Sequence, residues 1–378
     1  MSWALDRIVL REIRLPLREP FKISSGEVTT RRIVLLELTD GDGVTAWSEC
    51  VAMAGPNYSP ETVDTCWQAI RMWVAPRLLG RPFDHPAEVT PALEVSFRGH
   101  RMAKAAIEMG CWGLASVRRG IALAELIGGT RETIETGISL GIQASPEALV
   151  EKVSAAFEEG YRKVKIKIEP GADLDYLMAA RRAVGPSAGL MADANSAYSL
   201  ADRQHLGRFD DLGLMMIEQP LGWNDLVEHS ELQRAIRTPI CLDESITDLD
   251  RAREMVALGS GKIVNLKPGR VGGFGSSLAI HELCVRADLP LWCGGMLETG
   301  IGRAYNVALA SLPGFGLPGD VSPSARYWKQ DITDPEWTMD AGHVRVPYDR
   351  PGLGVEVDVE RIEALTVRRE ELRAGGGS

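Results

Sequence analysis

The stretch KVKIKI at residues 163–168 is the first of five short apolar runs that each carry an ionisable residue near the C-terminal end. Four more follow: GLMADAN (189–195), LMMIEQP (214–220), PICLDES (239–245) and KIVNLKPG (262–269). The ionisable residues are Lys167, Asp193, Glu218, Asp243 and Lys267, spaced by 24 to 26 residues. An interval of about 25 residues fits one strand, one helix and two short loops. The spacing therefore predicts a repeated strand–helix unit.

Eight such runs predict an α/β protein with a (β/α)₈-type barrel, a modified TIM barrel. The predicted strands span 133–142, 163–168, 189–195, 214–220, 239–245, 262–269, 290–295 and 315–320. The stretch 145–160 between two of them repeats apolar residues at helical intervals, with Ser145 as start signal and Gly160 as stop signal. The alternative, an open doubly wound sheet, usually has a Gly-rich phosphate loop after an early strand, whereas GRVGGFGSS (269–277) follows the sixth.

The residues on either side of the barrel predict a second domain. Residues 1–125 contain alternating strand-like runs around the turn DGDG, followed by helical stretches, and are expected to form an α+β capping domain. The barrel domain is expected at 126–320. Residues 321–378 have weak barrel character and are expected to return to the capping domain. The final GGGS (375–378) predicts a disordered tail.

Composition argues against several classes of protein. The net charge is −10, the pI is about 5.3, and no more than two basic residues are adjacent, which argues against nucleic-acid binding. The N-terminus has no apolar signal-peptide core and no apolar stretch approaches 20 residues, so we expect no membrane span. Six cysteines without CxxC spacing are typical of reduced thiols in the cytoplasm.

Three carboxylates at consecutive strand ends predict a metal site. Asp193, Glu218 and Asp243 fall on the third, fourth and fifth strands, so they are expected to be neighbours on the C-terminal rim of the barrel. Carboxylate oxygens without His or Cys favour Mg²⁺ or Mn²⁺. The alternative is that each acidic residue only caps the next helix. Asn195 and Glu244 lie beside predicted ligands and are expected to support them.

Lysines are expected on opposite sides of the same rim. Lys165 and Lys167 share one face of the second strand, and Lys267 lies four strands further around the ring. The alternative, an edge strand with a solvated basic face, does not fit a barrel interior. We assign Lys167 and Lys267 as acid/base residues, with the ammonium of Lys165 lowering the pKa of Lys167.

This arrangement predicts removal of the proton α to the carboxylate of a small-molecule substrate. A divalent cation stabilises the charge of the enediolate as it develops. If the enediolate takes up a proton on the opposite face of the α-carbon, the reaction is a racemisation. If it loses a β-leaving group instead, the reaction is an elimination. A Schiff-base aldolase leaves the three carboxylates unexplained. A non-catalytic metal-binding protein leaves the crowded lysines unexplained.

The chain resembles the enolase superfamily, in its muconate-lactonizing subgroup, and is most similar to the N-acylamino acid racemase / o-succinylbenzoate synthase family. The resemblance rests on KIKIEPG (165–171), DANSAY (193–198), IEQPL (217–221), CLDES (241–245), NLKPGRVGG (265–273), GGMLETGIGR (294–303), GHRMAKAAIE (99–108) and AMAGPNYS (52–59). It implies Mg²⁺ on the predicted carboxylates, the predicted lysines as the catalytic set, and capping loops near 17–28 and 50–60. Homo-oligomers are common in the family.

The resemblance implies racemisation of N-acyl or N-succinyl amino acids, with o-succinylbenzoate synthesis, a dehydration in menaquinone synthesis, as the alternative or as a second activity. Another lysine-subgroup epimerase or cycloisomerase is a more distant alternative. The seventh strand has no His, unlike the mandelate-racemase-like subgroup, and LPGDVSPS (317–324) has one Asp where dipeptide epimerases tend to have Asp-x-Asp. Arg270 is expected to meet a distal substrate group or to lie at the surface. Tyr58 is expected to line the pocket.

Overall fold

The computed structural model describes residues 2–23 and 26–375. The strands are β1 (Trp3–Ile23), β2 (Gly26–Asp40), β3 (Thr45–Cys50), β4 (Pro82–Phe83), β5 (Thr133–Glu135), β6 (Gly137–Leu140), β7 (Lys163–Lys167), β8 (Leu190–Asp193), β9 (Ile217–Glu218), β10 (Ile240–Leu242), β11 (Ile263–Leu266), β12 (Leu291–Cys293), β13 (Thr333–Asp334), β14 (His343–Arg345), β15 (Glu356–Val357) and β16 (Thr366–Arg373). The predicted tail lies outside the described residues from position 376 onward.

The α-helices are α1 (Val63–Ala69), α2 (Ala75–Leu78), α3 (Val89–Glu94), α4 (Arg101–Arg119), α5 (Leu123–Leu126), α6 (Pro146–Glu158), α7 (Leu174–Val184), α8 (Arg203–Leu206), α9 (Val227–Ala235), α10 (Leu249–Leu258), α11 (Pro268–Val271), α12 (Phe274–Arg286), α13 (Gly300–Ala310) and α14 (Val359–Leu365). Helix α6 starts as predicted, since Ser145 accepts a hydrogen bond from Ala148 N and Pro146 is the first helical residue. It stops before Gly160, whose φ of 97° suits glycine.

Strands β6 to β12 form a parallel sheet in chain order, which confirms the predicted barrel architecture. Residues 319–320 join the two edges of this sheet. Gly137 N donates to Gly319 O at 2.6 Å, and Asp320 N donates to Cys293 O at 2.9 Å. The predicted eighth strand is thus reduced to a short closing segment within the described residues. Pro318 has no N–H, so it cannot extend the ladder.

The predicted first strand is also shorter than expected. Residues 133–142 divide into β5 and β6, and only β6 joins the parallel sheet. Strand β5 pairs antiparallel with β14, a strand near the C-terminus of the chain. The sequence could not show this division because the partner of β5 is about 200 residues away along the chain, and a short strand is set by its partner more than by its own residues.

The capping domain is built on an antiparallel sheet in the order β16-β1-β2-β3. Helix α4 packs on this sheet and is buried along most of its length. Strand β16 pairs with β1 from Arg7↔Arg373 to Ile13↔Thr366, so the end of the described chain lies in the capping sheet. No helix in the described ranges is both long enough and apolar enough to cross a membrane.

Two buried carboxylates of the capping domain bind the N-terminal ends of barrel helices. Glu108 on α4 accepts hydrogen bonds from Phe274 N at 2.7 Å and Gly275 N at 2.9 Å, at the start of α12. Glu49 on β3 accepts from Thr299 Oγ1 at 2.6 Å, just before α13. Carboxylates are favourable at helix N-termini because free N–H groups and the helix dipole meet them there. These contacts hold the capping domain over the rim of the barrel.

Candidate active site

The strand-end residues predicted from spacing meet inside the barrel. The register of the parallel sheet places Lys167 beside Asp193, and Asp193 beside Glu218. Asp243 and Lys267 come directly after β10 and β11. All five side chains are buried, and Lys167 is the most exposed at 8%. The topology therefore converts even spacing along the chain into one cluster.

On one side of the cluster, Lys167 binds the predicted metal ligand Asp193 and the nearby residue Asn195. Lys167 Nζ donates to Asp193 Oδ2 and to Asn195 Oδ1, both at 2.6 Å. Asn195 Nδ2 in turn donates to Glu244 Oε1 at 2.8 Å. Lys165 Nζ lies 3.2 Å from Asp193 Oδ2. The predicted supporting residues Asn195 and Glu244 thus form a hydrogen-bonded chain that starts at Lys167.

On the other side, Lys267 and Arg270 share the carboxylate of Asp243. Lys267 Nζ donates to Asp243 Oδ2 at 2.8 Å and to Tyr58 Oη at 3.0 Å. Arg270 donates to Asp243 Oδ1, to Tyr58 Oη and to the carbonyl of Asn265. Arg270 is 3% exposed, so the alternative that it lies at the surface is wrong, and its contact with a distal substrate group stays a prediction. Its guanidinium is turned toward Asp243 because a buried charge requires a partner.

A cavity opens above the cluster and has a volume of about 270 Å³. Lys165, Lys167 and Lys267 reach its floor. Its walls are mostly apolar and come from both domains: Phe21, Val28, Met53, Tyr58, Met296, Leu297 and Tyr327. Because β7 and β11 are four strands apart, their lysines approach a molecule in this cavity from different sides.

The carboxylates of the cluster have perturbed pKa values. Burial raises the pKa of Glu244 to about 7, and the charge of Asp193 adds to this effect. Burial and Asp193 likewise raise the pKa of Glu218. Burial alone would lower the pKa of Lys165, but Asp320, Glu218 and Asp193 together raise it well above its ordinary value. The carboxylates of the cluster therefore carry more negative charge than the ammonium of Lys165 alone neutralises.

The residues present fit a hard divalent cation. Glu218 Oε2 and Glu244 Oε2 are buried oxygens that accept no hydrogen bond. Asp193, Glu218 and Asp243 offer oxygen donors only, which suits Mg²⁺ or Mn²⁺. Within the described residues, no three His, Cys, Asp or Glu side chains are already gathered around one point. Asp243 is drawn instead to Lys267 and Arg270. Binding would require its carboxylate to exchange these partners for the cation.

Two buried residues next to this cluster were missed by reasoning from the sequence. Asn265 Nδ2 donates to Glu218 Oε1 at 2.6 Å. Asp320 Oδ2 lies 2.7 Å from Lys165 Nζ. Their positions could have indicated both residues. Asn265 lies two residues before Lys267 on the same strand face, and Asp320 lies at the C-terminal end of the last predicted strand, as the other ionisable residues lie near the ends of theirs.

Comparison with known proteins gives matches over almost the whole chain. Residues 7–128 match the mandelate racemase / muconate lactonizing enzyme N-terminal domain, and residues 148–362 match the enolase C-terminal domain-like family. Over 366 residues the chain is 45% identical to an o-succinylbenzoate synthase of Geobacillus kaustophilus, with 97% of each chain covered.

Two further relatives support the same assignment. An N-succinylamino acid racemase of Amycolatopsis sp is 43% identical over 365 residues, covering 97% of this chain and 98% of the relative. A crystal structure of an enolase superfamily member from Listeria innocua superposes with a TM-score of 0.95 at 37% identity, covering 99% of this chain and 100% of that one. Members of the matched group generally use a divalent metal. The chain is therefore an enzyme of the enolase superfamily, in the mandelate racemase / muconate lactonizing enzyme group.

Proposed function

We propose that this enzyme removes the proton α to a carboxylate and racemises N-acylated amino acids, N-succinyl derivatives included. The observation that carries the proposal is the pair of lysines, Lys167 and Lys267, at the floor of one cavity on strands four apart. A relative named N-succinylamino acid racemase, 43% identical over nearly the full chain, supports the substrate class. The apolar walls favour an apolar amino acid side chain.

In the proposed reaction, neutral Lys167 accepts the α-proton, and the electron pair of the C–H bond moves into the carboxylate to give an enediolate. The ammonium of Lys267 then donates a proton to the opposite face of the α-carbon. The configuration at the α-carbon is inverted, and the other enantiomer of the substrate uses the same two lysines in the reverse order. Each lysine thus serves as acid in one direction and base in the other.

Asp193, Glu218 and Asp243 would hold the cation, which we propose to be Mg²⁺ or Mn²⁺. When bound, it supplies positive charge that stabilises the carboxylate oxygens as their negative charge increases. Asn195 and Glu244 orient Lys167 through their hydrogen bonds. Asn265 fixes Glu218 through Oε1.

A second candidate function is o-succinylbenzoate synthesis. Relatives with that name are 45% identical over nearly the whole chain. The same proton removal by Lys167 would begin the reaction, and loss of a hydroxyl group would replace reprotonation. Lys267 would then steady the developing charge through its own positive charge. Both activities use the same cluster, so one protein can carry both.

A paired assay distinguishes the two candidates. Purified enzyme is tested for o-succinylbenzoate formation and for racemisation of N-acetyl and N-succinyl amino acids with apolar side chains. We expect racemisation that is lost with a chelator and restored by Mg²⁺ or Mn²⁺. Formation of o-succinylbenzoate without racemisation would contradict the first candidate function and support only the second. Turnover that is insensitive to chelation would contradict both.

We also propose that the enzyme is a homo-oligomer in the cytoplasm. Support comes from the family resemblance and from the six cysteines, all of which are buried free thiols. Light scattering of the purified enzyme measures its oligomeric state directly, and a monomer at micromolar concentration would contradict the first part of this proposal.

A further inference from the structure

A line of alternating charges runs down the inside of the barrel beneath the carboxylate cluster. It consists of Lys163, Asp320 and Lys165, all of which are buried, and Lys163 is completely so. Lys163 and Lys165 face inward from β7, and Asp320 comes from the segment that closes the barrel. The proposed reaction does not use Lys163 or Asp320. Buried charges without a role are costly, so their retention requires an explanation.

Asp320 bridges the two lysines with its two oxygens. Its Oδ2 lies 2.7 Å from Lys165 Nζ, and its Oδ1 lies 3.2 Å from Lys163 Nζ. Lys163 Nζ in turn lies 3.4 Å from the ring centroid of Trp292, a fully buried residue on β12. This cation–π contact and the surrounding core fix Lys163 from below. Asp320 is therefore held on one side and free to bind Lys165 on the other.

Lys165 has three carboxylate partners among the described residues, and two of them are predicted metal ligands. Its Nζ lies 3.2 Å from Asp193 Oδ2 and 3.1 Å from Glu218 Oε2. A cation held by these two carboxylates needs the same oxygens that attract the ammonium. Asp320 is the nearest of the three and is not a predicted ligand. Its removal would leave the ammonium to compete directly for the oxygens of Asp193 and Glu218.

We propose that Asp320 is a positioning residue, which holds the Lys165 ammonium away from the metal-ligating carboxylates. It lies at the edge of the cavity and acts on the metal site through its contact with Lys165. Lys163 and Trp292 keep the Asp320 carboxylate in place. The proposal rests on the carboxylate cluster of the proposed function and not on the identity of the substrate.

The competing explanation is that Asp320 only contributes negative charge near the cation. Asp320→Asn alone does not separate the two, because it weakens the contact with Lys165 and removes the negative charge at the same time. The double variant Lys163→Gln/Asp320→Asn does separate them, since it removes one positive and one negative charge and leaves the net charge unchanged. Its two amides can also pair with each other, which preserves packing if the single variant fails to fold.

The test is direct Mn²⁺ binding to the whole enzyme, followed by electron paramagnetic resonance without substrate. We expect both Asp320→Asn and the double variant to bind Mn²⁺ roughly 10- to 100-fold more weakly than the wild type, the usual range for residues that orient metal ligands. With substrate, kcat at limiting Mn²⁺ should fall by a similar factor, because the proposed reaction depends on the bound cation. Circular dichroism confirms folding of each variant.

Wild-type Mn²⁺ affinity in Asp320→Asn would overturn the proposal. Weak binding in the single variant with wild-type binding in the double variant would also overturn it, since only the charge would then matter. If the single variant does not fold, the double variant alone decides in the same way. A wild-type enzyme that binds no Mn²⁺ would instead contradict the proposed function, so the two failures are distinguishable.

Discussion

At the scale of single residues, Lys267 occupies its position because residue 294 is glycine. A Cβ atom at Gly294 would lie 2.6 Å from Lys267 Cε and still closer to Asn265 Oδ1. Both neighbours are buried and cannot move away freely. Asn265 also binds Glu218, so a side chain at position 294 would disturb the proposed acid/base residue and a proposed metal ligand together.

We therefore expect Gly294→Ala to reduce kcat of racemisation by roughly 10²-fold, the effect of displacing a reacting group by about 1 Å. The matched control is Gly316→Ala, since a Cβ there meets only Gly314 O at 3.9 Å. Steady-state kinetics and thermal melting of both variants provide the measurement. Wild-type kcat in Gly294→Ala would contradict the described position of Lys267.

The sequence predicts some site residues far better than others, for a physical reason. Lys167, Asp193 and Glu218 follow from spacing because a parallel barrel puts consecutive strand ends side by side. Tyr58 reaches Asp243 from the capping domain, 185 residues away along the chain. No local pattern encodes such a contact. The ion pair of Arg270 with Asp243 was not predicted, because it depends on the packing of Asp243, which spacing does not reveal.

At the scale of elements, the end of β1 in the β1–β2 hairpin packs against the residues that follow barrel strand β6. Ile142 N donates to Lys22 O at 3.1 Å, and Phe21 meets Tyr327 edge-to-face with ring centroids 6.5 Å apart. Gly141 allows this approach, since a Cβ there would lie 2.7 Å from Lys22 O. The hairpin thereby forms one wall of the cavity.

Gly141→Ala is expected to push this hairpin away from the barrel and to raise KM by about tenfold, which corresponds to ~1.4 kcal/mol. The effect on kcat should be small, because the predicted acid/base residues lie on other strands. Gly41→Ala, in the turn after β2 where a Cβ meets no atom within 4 Å, is the control. An unchanged KM in Gly141→Ala would show that hairpin docking does not contribute to substrate binding.

The strands of the barrel are well predicted from the sequence, whereas the capping segment near 17–28 is predicted less well. The parallel strands are apolar on both faces because helices cover them, and this makes them visible as continuous runs. The expected capping loop near 17–28 is largely strand instead, with Phe21 paired to Val28. Most of its described residues are exposed, so the run reads as neither a core strand nor a turn.

At the scale of the whole molecule, the cavity exists only where the two domains meet. The barrel supplies the ionisable floor, and the capping domain supplies Phe21, Val28, Met53 and Tyr58. Glu49 and Glu108 join the domains at the N-terminal ends of two barrel helices. We therefore expect the barrel to supply the reaction chemistry and the capping domain to contribute to substrate recognition. The first is predictable from regular spacing, and the second depends on contacts between distant parts of the chain.

The central claim is that Lys167 and Lys267 act on opposite faces of one α-carbon. Deuterium incorporation from D₂O, measured by NMR for each hand of an N-succinyl amino acid, tests it most directly. We expect Lys167→Ala to abolish α-hydrogen exchange of the enantiomer that Lys167 deprotonates. We expect Lys267→Ala to abolish exchange of the other enantiomer. Both variants should lose racemisation. Exchange and turnover of both hands in Lys267→Ala would contradict the account.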